Sequence, residues 1–399
     1  MNAADLMKGF PPEPSTQVTL ANWRKAPFNK WSFHHVREIV PSAAIANDPS
    51  DVWTLPRAGR SLAGTPLEID GAPRSLSSFL EVTDTDAMVV LHHGAIVFDY
   101  YAKGMDRDTP HILMSVSKSM LGLLAGILAE KGVLDLDAQV TSIIPEVKST
   151  AYEGASLRDL LDMRVGILFD EDYLAAAGPI IEYRKAQGWD PYGPGETPSD
   201  LRSFYRALTA RDGQHAGVFH YVSPNTDLLG WVIERQSGRR FADLMSEFLW
   251  KPLGCHAGAY ITVDRLGAPR CAGGICTTAE DLARVGEMMV RNGRRGSRQI
   301  VPESWLADIV RGGDRDAWDK GDFAQYLPRL PVRYRSKWYT LDGAAPMTFG
   351  IGVFGQNVFV DPKNEIVIAK FSSHALPMDK ERITLTMKGV EAIRRVLSA

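Results

Sequence analysis

The segment Leu113-Met114-Ser115-Val116-Ser117-Lys118-Ser119-Met120-Leu121-Gly122-Leu123-Leu124-Ala125-Gly126-Ile127-Leu128 carries two patterns at once. Met120, Leu121, Leu123, Leu124, Ile127 and Leu128 recur at helical spacing, and Gly132 supplies a stop, which predicts a helix from about Ser115 to Lys131. It is apolar on most sides and is therefore expected to be buried. Ser115 and Lys118, three positions apart, share one helix face and can touch. A serine hydroxyl is a poor nucleophile until a base takes its proton, and a lysine enclosed by apolar neighbours has its pKa lowered toward that task. The helix N-terminus adds partial positive charge where an oxyanion would form. Two common residues at fixed spacing also coincide by chance, so the pair needs support from elsewhere in the chain.

Upstream, Ala87 to Tyr101 holds two β-rich runs separated by His93-Gly94, a hairpin signal. Before about residue 75 the chain is broken by Pro11, Pro12, Pro14, Pro27, Pro56, Pro66 and Pro73 and reads as an irregular arm. Downstream, helical patterns dominate from about 140 to 270, including Asp227 to Gln236, Phe241 to Trp250 and a capped start at Ser156. A capped helix follows Thr278, strand-like runs cover Asn357 to Val360 and Glu365 to Phe371, and a last helix spans about Lys380 to Leu397. Strands early and late with helices between them predict one α/β sheet domain built from residues 76–140 and 271–399, a mostly helical lobe at 141–270, and an arm, 1–75, packed on the core.

Composition narrows the function classes. With 45% hydrophobic and 23% charged residues, the chain can bury a sizeable core. A net charge of −3, with no basic run interleaved with aromatics, argues against a nucleic-acid partner. Three cysteines, Cys255, Cys271 and Cys276, offer neither a disulfide framework nor zinc spacing. The apolar run Leu121 to Ala129 is about half the roughly 20 residues that a membrane span needs, and Met1 to Phe10 lacks a leader pattern. The expectation is a cytoplasmic protein that is not in a membrane.

A second chemical feature is Tyr221-Val222-Ser223-Pro224-Asn225, which sets a phenol beside the polar Ser223 and Asn225 just before a helix. Tyr221 could pass a proton to a leaving group, or it could simply anchor the loop through its hydroxyl. His92, His93, His111, His220 and His374 lack metal-ligand spacing, and Gly273-Gly274 lacks the strand-turn-helix setting of a nucleotide loop. Neither a metal nor a cofactor is expected.

Together, Met114 to Ser119, Ser156 to Leu161, the Tyr221 loop and Gly350 to Pro362 resemble the serine β-lactamase and DD-peptidase superfamily over residues 80 to 399. The text is most similar to the 6-aminohexanoate-dimer hydrolases and their class C β-lactamase-like esterase relatives, as carried by Leu113 to Ser119, Glu171-Asp172-Tyr173, Ser223-Pro224-Asn225-Thr226-Asp227 and Gly350 to Asn357. The resemblance implies the β-lactamase-like fold, with an antiparallel sheet flanked by helices and an inserted helical lobe. It also implies Ser115 as the acylated nucleophile, Lys118 and Tyr221 as proton carriers, and the N–H groups of Ser115 and Val353 as the oxyanion hole. Tyr173 would contact a scissile amide, or else pack behind the acidic run Asp170-Glu171-Asp172. Ser223, Asn225 and Gly352 are expected to face substrate, and Trp338 either walls the pocket or packs in the core.

Two departures redirect the function. Penicillin-handling relatives carry Tyr-x-Asn where this chain has Tyr221-Val222-Ser223, and Lys-Thr-Gly where it has Gly350-Ile351-Gly352. The missing lysine removes a cation that would meet a β-lactam carboxylate. A serine hydrolase of small esters or linear amides is therefore expected, with a weak β-lactamase or a catalytically silent binding member as alternatives. Glu182 beside Arg184 and Lys185 leaves a preference for substrates bearing a free amine undecided. By analogy the chain is expected to form a homodimer.

Overall fold

Successive side chains of the strand Thr85–His92 face two different cores. Ala87, Val89 and Leu91 join one apolar cluster, and Met88 and Val90 join the other, as the two-residue pleat requires. Burial on both faces explains why this run is almost continuously apolar rather than alternating. The computed structural model describes residues 5–58 and 61–399; residues 1–4, at the head of the segment read for a leader, and 59–60, within the arm, lie outside the described residues.

That strand sits inside a seven-stranded sheet. In spatial order the strands are Val332–Arg335, Trp338–Leu341, Met347–Gly352, Gln356–Asp361, Ile366–Ser372, Thr85–His92 and Ala95–Tyr101, every neighbouring pair antiparallel. The sheet is joined from both ends of the chain where Ile368 pairs with Val90. The helix Lys380–Leu397 covers one face through Val390, Ala392 and Ile393. On the other face lie Val116–Glu130 and Ala279–Val290, the latter so close that a Cβ on Gly286 would stand 2.3 Å from Val367. The expected antiparallel sheet flanked by helices is thus present.

Between Val140 and Leu253 the named elements are all helical. Leu228, Leu229 and Val232 of the helix Ser223–Ser237 belong to the same apolar cluster as Val116, Leu121 and Val89. The helical part and the sheet therefore share one core, with the helix Val116–Glu130 between them.

A second, four-stranded antiparallel sheet orders Ser42–Ile45, Ala259–Thr262, Ile275–Thr277 and His111–Ile112. Its first strand comes from the segment read as irregular, and its register is set by alternate burial of Ala43 and Ile45 against the core. The same segment supplies Trp23, Phe33 and Val36 to an apolar cluster that also holds Trp189 and Phe354, and the Trp23 indole donates to Trp189 O at 3.0 Å. Among the described residues no helix is long and apolar enough to cross a membrane.

Candidate active site

The small sheet aims the start of the central helix. Leu113 N donates to Ile275 O at 2.8 Å, and Ile275 N donates in turn to Ser117 Oγ at 3.1 Å. Between these anchors Met114 adopts φ +44°, a left-handed conformation that costs a non-glycine residue on the order of 1–3 kcal/mol and persists where the surroundings enforce it. Ser115 occupies the N-cap position of the helix Val116–Glu130, yet its side chain makes no cap hydrogen bond. Its hydroxyl is thereby left for chemistry.

Lys118 Nζ donates to Ser115 Oγ at 2.9 Å and to Ala272 O at 2.8 Å. The side chain is only 1% exposed, and burial, opposed by the Glu171 carboxylate, brings its pKa down from 10.5 to about 7. Lys118 also sits 4.8 Å from the ring centre of Tyr221. Burial, and then Glu171, push the pKa of the Tyr221 phenol well up. The Ser115 hydroxyl and the Lys118 amine are thus hydrogen-bonded, with the Tyr221 ring beside the amine.

Behind that group stands Asp227. Its carboxylate accepts from Arg270 at 2.6 Å, from Ala272 N at 2.7 Å and from the Tyr183 hydroxyl. Arg270 and Asp227 are 7% and 4% exposed, so the ion pair fixes the Arg270–Ala272 turn from inside. That turn is what presents the Ala272 carbonyl to Lys118.

Glu171 has a comparable role on the other wall. It accepts from Ser223 N at 2.5 Å, from the Ser223 hydroxyl, and from the Tyr173 hydroxyl at 2.9 Å. One carboxylate therefore holds both Tyr173 and Ser223 at the mouth of the site. Their hydroxyls face inward on it and are not free donors to anything else in its direction.

The strand Met347–Gly352 closes the third side. A Cβ on Gly352 would lie 2.6 Å from Leu113 O and 3.0 Å from Ser115 N, and one on Gly350 would lie 2.9 Å from Ser119 Oγ. Glycine is needed here for close approach, since φ at Gly352 is an ordinary −125°. Glycine at position 350 thus fits the close approach of this strand to the Ser119 side chain. Val353 follows on the cleft wall, and the Ser115 N–H has no acceptor among the described residues. The cleft is partly open, and its empty space, solvent at the opening included, is about 530 Å³.

Of the residues named from sequence, Ser115, Tyr173, Ser223 and Val353 line this cleft, with Lys118, Tyr221 and Gly352 directly behind them. Two lie elsewhere. Asn225 is fully buried and accepts from the Tyr152 hydroxyl at 3.0 Å. Trp338 is also fully buried, and its indole donates to Ser119 O at 3.1 Å, which makes it a core residue supporting the central helix and not a cleft wall. Sequence reading missed the carboxylates Glu171 and Asp227 as organisers, although both stood inside the quoted blocks. It also missed Arg24, Gln187 and Arg270, which line the cleft, and it named Arg184 without separating it from its neighbours Glu182 and Lys185, which do not. Among the described residues no three His, Cys, Asp or Glu side chains gather as a metal site, and the three cysteines are buried and unpaired.

The Beta-lactamase family model matches residues 80–389. The chain belongs to the beta-lactamase family. Within it, the chain is 34% identical over 364 residues to the 6-aminohexanoate-dimer hydrolase of Paenarthrobacter ureafaciens, covering 91% of this chain and 90% of the relative. Among solved structures it is similar to a Bacillus anthracis protein assigned as a 6-aminohexanoate-dimer hydrolase, with TM-score 0.87, 25% identity, and 97% and 98% of the two chains covered. The fold is also that of EstCE1, a hydrolase with promiscuous acyltransferase activity, at TM-score 0.61 and 18% identity over 80% of this chain and 98% of that one. This beta-lactamase family member is a hydrolase of the serine type.

Proposed function

We propose that the protein hydrolyses small linear amides or esters through an acyl-serine intermediate. The observation that carries this reading is the 2.9 Å contact between Ser115 Oγ and a Lys118 amine whose pKa lies at about 7. In its neutral form Lys118 takes the Ser115 proton as Oγ bonds to the substrate carbonyl carbon. The oxyanion is received by the N–H groups of Ser115 and Val353; removing one such donor typically costs about 10² to 10³ in rate. Collapse breaks the carbonyl bond to the leaving amine or alcohol, which takes its proton through Tyr221. Water then attacks the acyl group, its proton passes to the same pair, and Ser115 is regenerated. Tyr173, which lines the cleft, would contact the amide group through its ring edge or by exchanging its bond to Glu171 for one to the substrate. The named activity of the Paenarthrobacter relative supports linear amides, and glycine in place of a lysine at position 350 speaks against efficient β-lactam hydrolysis.

The test pairs the purified protein with its Ser115→Ala variant on p-nitrophenyl esters of short acids, a 6-aminohexanoate dimer and nitrocefin, with fluorophosphonate labelling alongside. Ester or amide turnover and labelling are expected in the parent alone. Absence of both in the parent would sink the hydrolase mechanism in favour of a silent binding member, and nitrocefin as the best substrate would favour a β-lactamase.

A further inference from the structure

Three arginines line the cleft, and their charges are not equally balanced. Arg24 is paired with Asp190, and Arg270 with Asp227 at 2.6 Å. Arg184 is 9% exposed and donates to the Tyr173 carbonyl at 2.7 Å, yet no Asp or Glu oxygen lies within 4.0 Å of it among the described residues. A buried guanidinium without a counter-charge is costly, because one carbonyl replaces only part of its lost hydration.

One helical turn on, Gln187 is 1% exposed and lines the same cleft, and neither its Oε1 nor its Nε2 has a partner among the described residues. Residues three apart on a helix share a face, so these two groups converge on one region. Glu182, the acidic neighbour, is exposed, pairs with Lys185 at 3.4 Å and does not reach the cleft. Glu171 does reach it, but its oxygens are taken by Ser223 and Tyr173. Among the described residues the cleft therefore has a cation without a counter-charge, an unpartnered amide, and no carboxylate left to meet a substrate cation.

We propose that Arg184 and Gln187 bind a carboxylate carried by the substrate, so that the cleft takes linear amides or esters with an anionic, not an ammonium, far end. This rests on reading the cleft as the substrate site of the hydrolase. Arg184 supplies a charge-assisted hydrogen bond and the Gln187 amide a second donor. Ile180 and Trp189, which also line the cleft, give an aliphatic linker apolar surface to cross.

The test measures binding on the Ser115→Ala protein, so that turnover plays no part. Hexanoate, hexylammonium and hexanol are titrated by calorimetry into this protein and into versions that also carry Arg184→Gln, Arg184→Lys or Gln187→Leu, with melting curves confirming each fold. Hexanoate should bind at least about tenfold tighter than hexylammonium or hexanol, Arg184→Gln should remove that margin, and Arg184→Lys should keep part of it. Should Arg184→Gln fail to fold, Gln187→Leu must still weaken hexanoate by about threefold or more while sparing hexanol. Equal binding of the three ligands, a preference for hexylammonium, no binding of hexanoate, or indifference to the substitutions overturns the proposal. An inert Ser115 would instead appear as missing turnover and labelling in the parent, with the carboxylate preference intact.

Discussion

Lys118 and Ala272, 154 positions apart in sequence, are joined by a 2.8 Å hydrogen bond from the amine to the carbonyl. The Ala272 amide is in turn held by Asp227 at 2.7 Å. Lys118, the proposed base, is thus positioned from two sides, by its own helix and by a turn that a buried ion pair locks. Lys118 is useful only when neutral, and its pKa lies at about 7. With a neutral ester, kcat/KM should rise with pH through a midpoint near 7, which a pH–rate profile reads directly. Tyr221, whose pKa burial raises, stays protonated across the same range and adds no alkaline fall there. A profile flat between about pH 5 and 9 would exclude Lys118 as the base.

Glu171 is the largest influence opposing the lowered pKa of Lys118. Replacing it by glutamine removes that negative charge, so the acid limb of the profile should move to lower pH. The same change puts an NH₂ group or a weaker acceptor against Ser223 N and the Tyr173 hydroxyl. A loss of about 10- to 100-fold in kcat/KM is expected, larger for amides than for esters. A limb that stayed in place or moved to higher pH would contradict this coupling.

Burial of Lys118 also has a signature in stability. The folded group titrates at about 7 and the unfolded one near 10.5, so the unfolded chain binds more protons between these values. The penalty is full below the folded pKa and fades as pH rises toward the unfolded one. Lys118→Met should therefore abolish turnover yet be more stable than the parent at pH 6, by about 1 to 3 kcal/mol, with the gap narrowed at pH 9 and closing only near pH 10.5. Denaturant unfolding of both proteins at the two pH values measures it.

Asp227→Asn should be far more damaging than its conservative appearance suggests. It leaves Arg270 charged and without its counter-ion at 7% exposure, a situation that typically costs about 3 to 5 kcal/mol. Loss of the Ala272 anchor should lower kcat as well, so unfolding midpoints and kinetics must fall together.

Gly352→Ala adds a single methyl 2.6 Å from Leu113 O and 3.0 Å from Ser115 N. Backbone cannot yield as a flexible side chain can, so a cost of about 1 to 3 kcal/mol is expected, with activity falling by about 10² or more through displacement of Ser115 N. Full activity in this variant would place the oxyanion elsewhere.

Much of this site is visible as text because local rules write it. Ser115 and Lys118 share a helix face by spacing alone, and the caps at Ser156 and Thr278 sit where Asp159 N and Asp281 N are found donating to them. What spacing cannot say is which way a side chain in a long connection turns. Glu182 and Arg184 are two residues apart on the helix Pro179–Ala186, which places them on different faces, and only the packed position of that helix decides that the arginine enters the cleft. Trp338 looked equally suited to a wall or a core until the sheet set it behind Ser119. Arg24 reaches the cleft from an arm without periodicity, through aromatic packing on Trp189 that no local pattern encodes.

The pairing of Ile366–Ser372 with Thr85–His92 governs how the protein can be made. As the chain leaves the ribosome, the strand Thr85–His92 can find its hairpin partner Ala95–Tyr101 at once, but its other edge stays open for more than 270 residues of synthesis. Over that interval the apolar helix Val116–Glu130 is exposed as well, since the strands that cover it come late in the chain. Such non-local closure makes for slow folding and a period of vulnerability to aggregation. Ser115, the proposed nucleophile, is thus translated early and assembled last, and production of active enzyme should respond to chaperones and to growth temperature more than the stability of the finished fold would suggest.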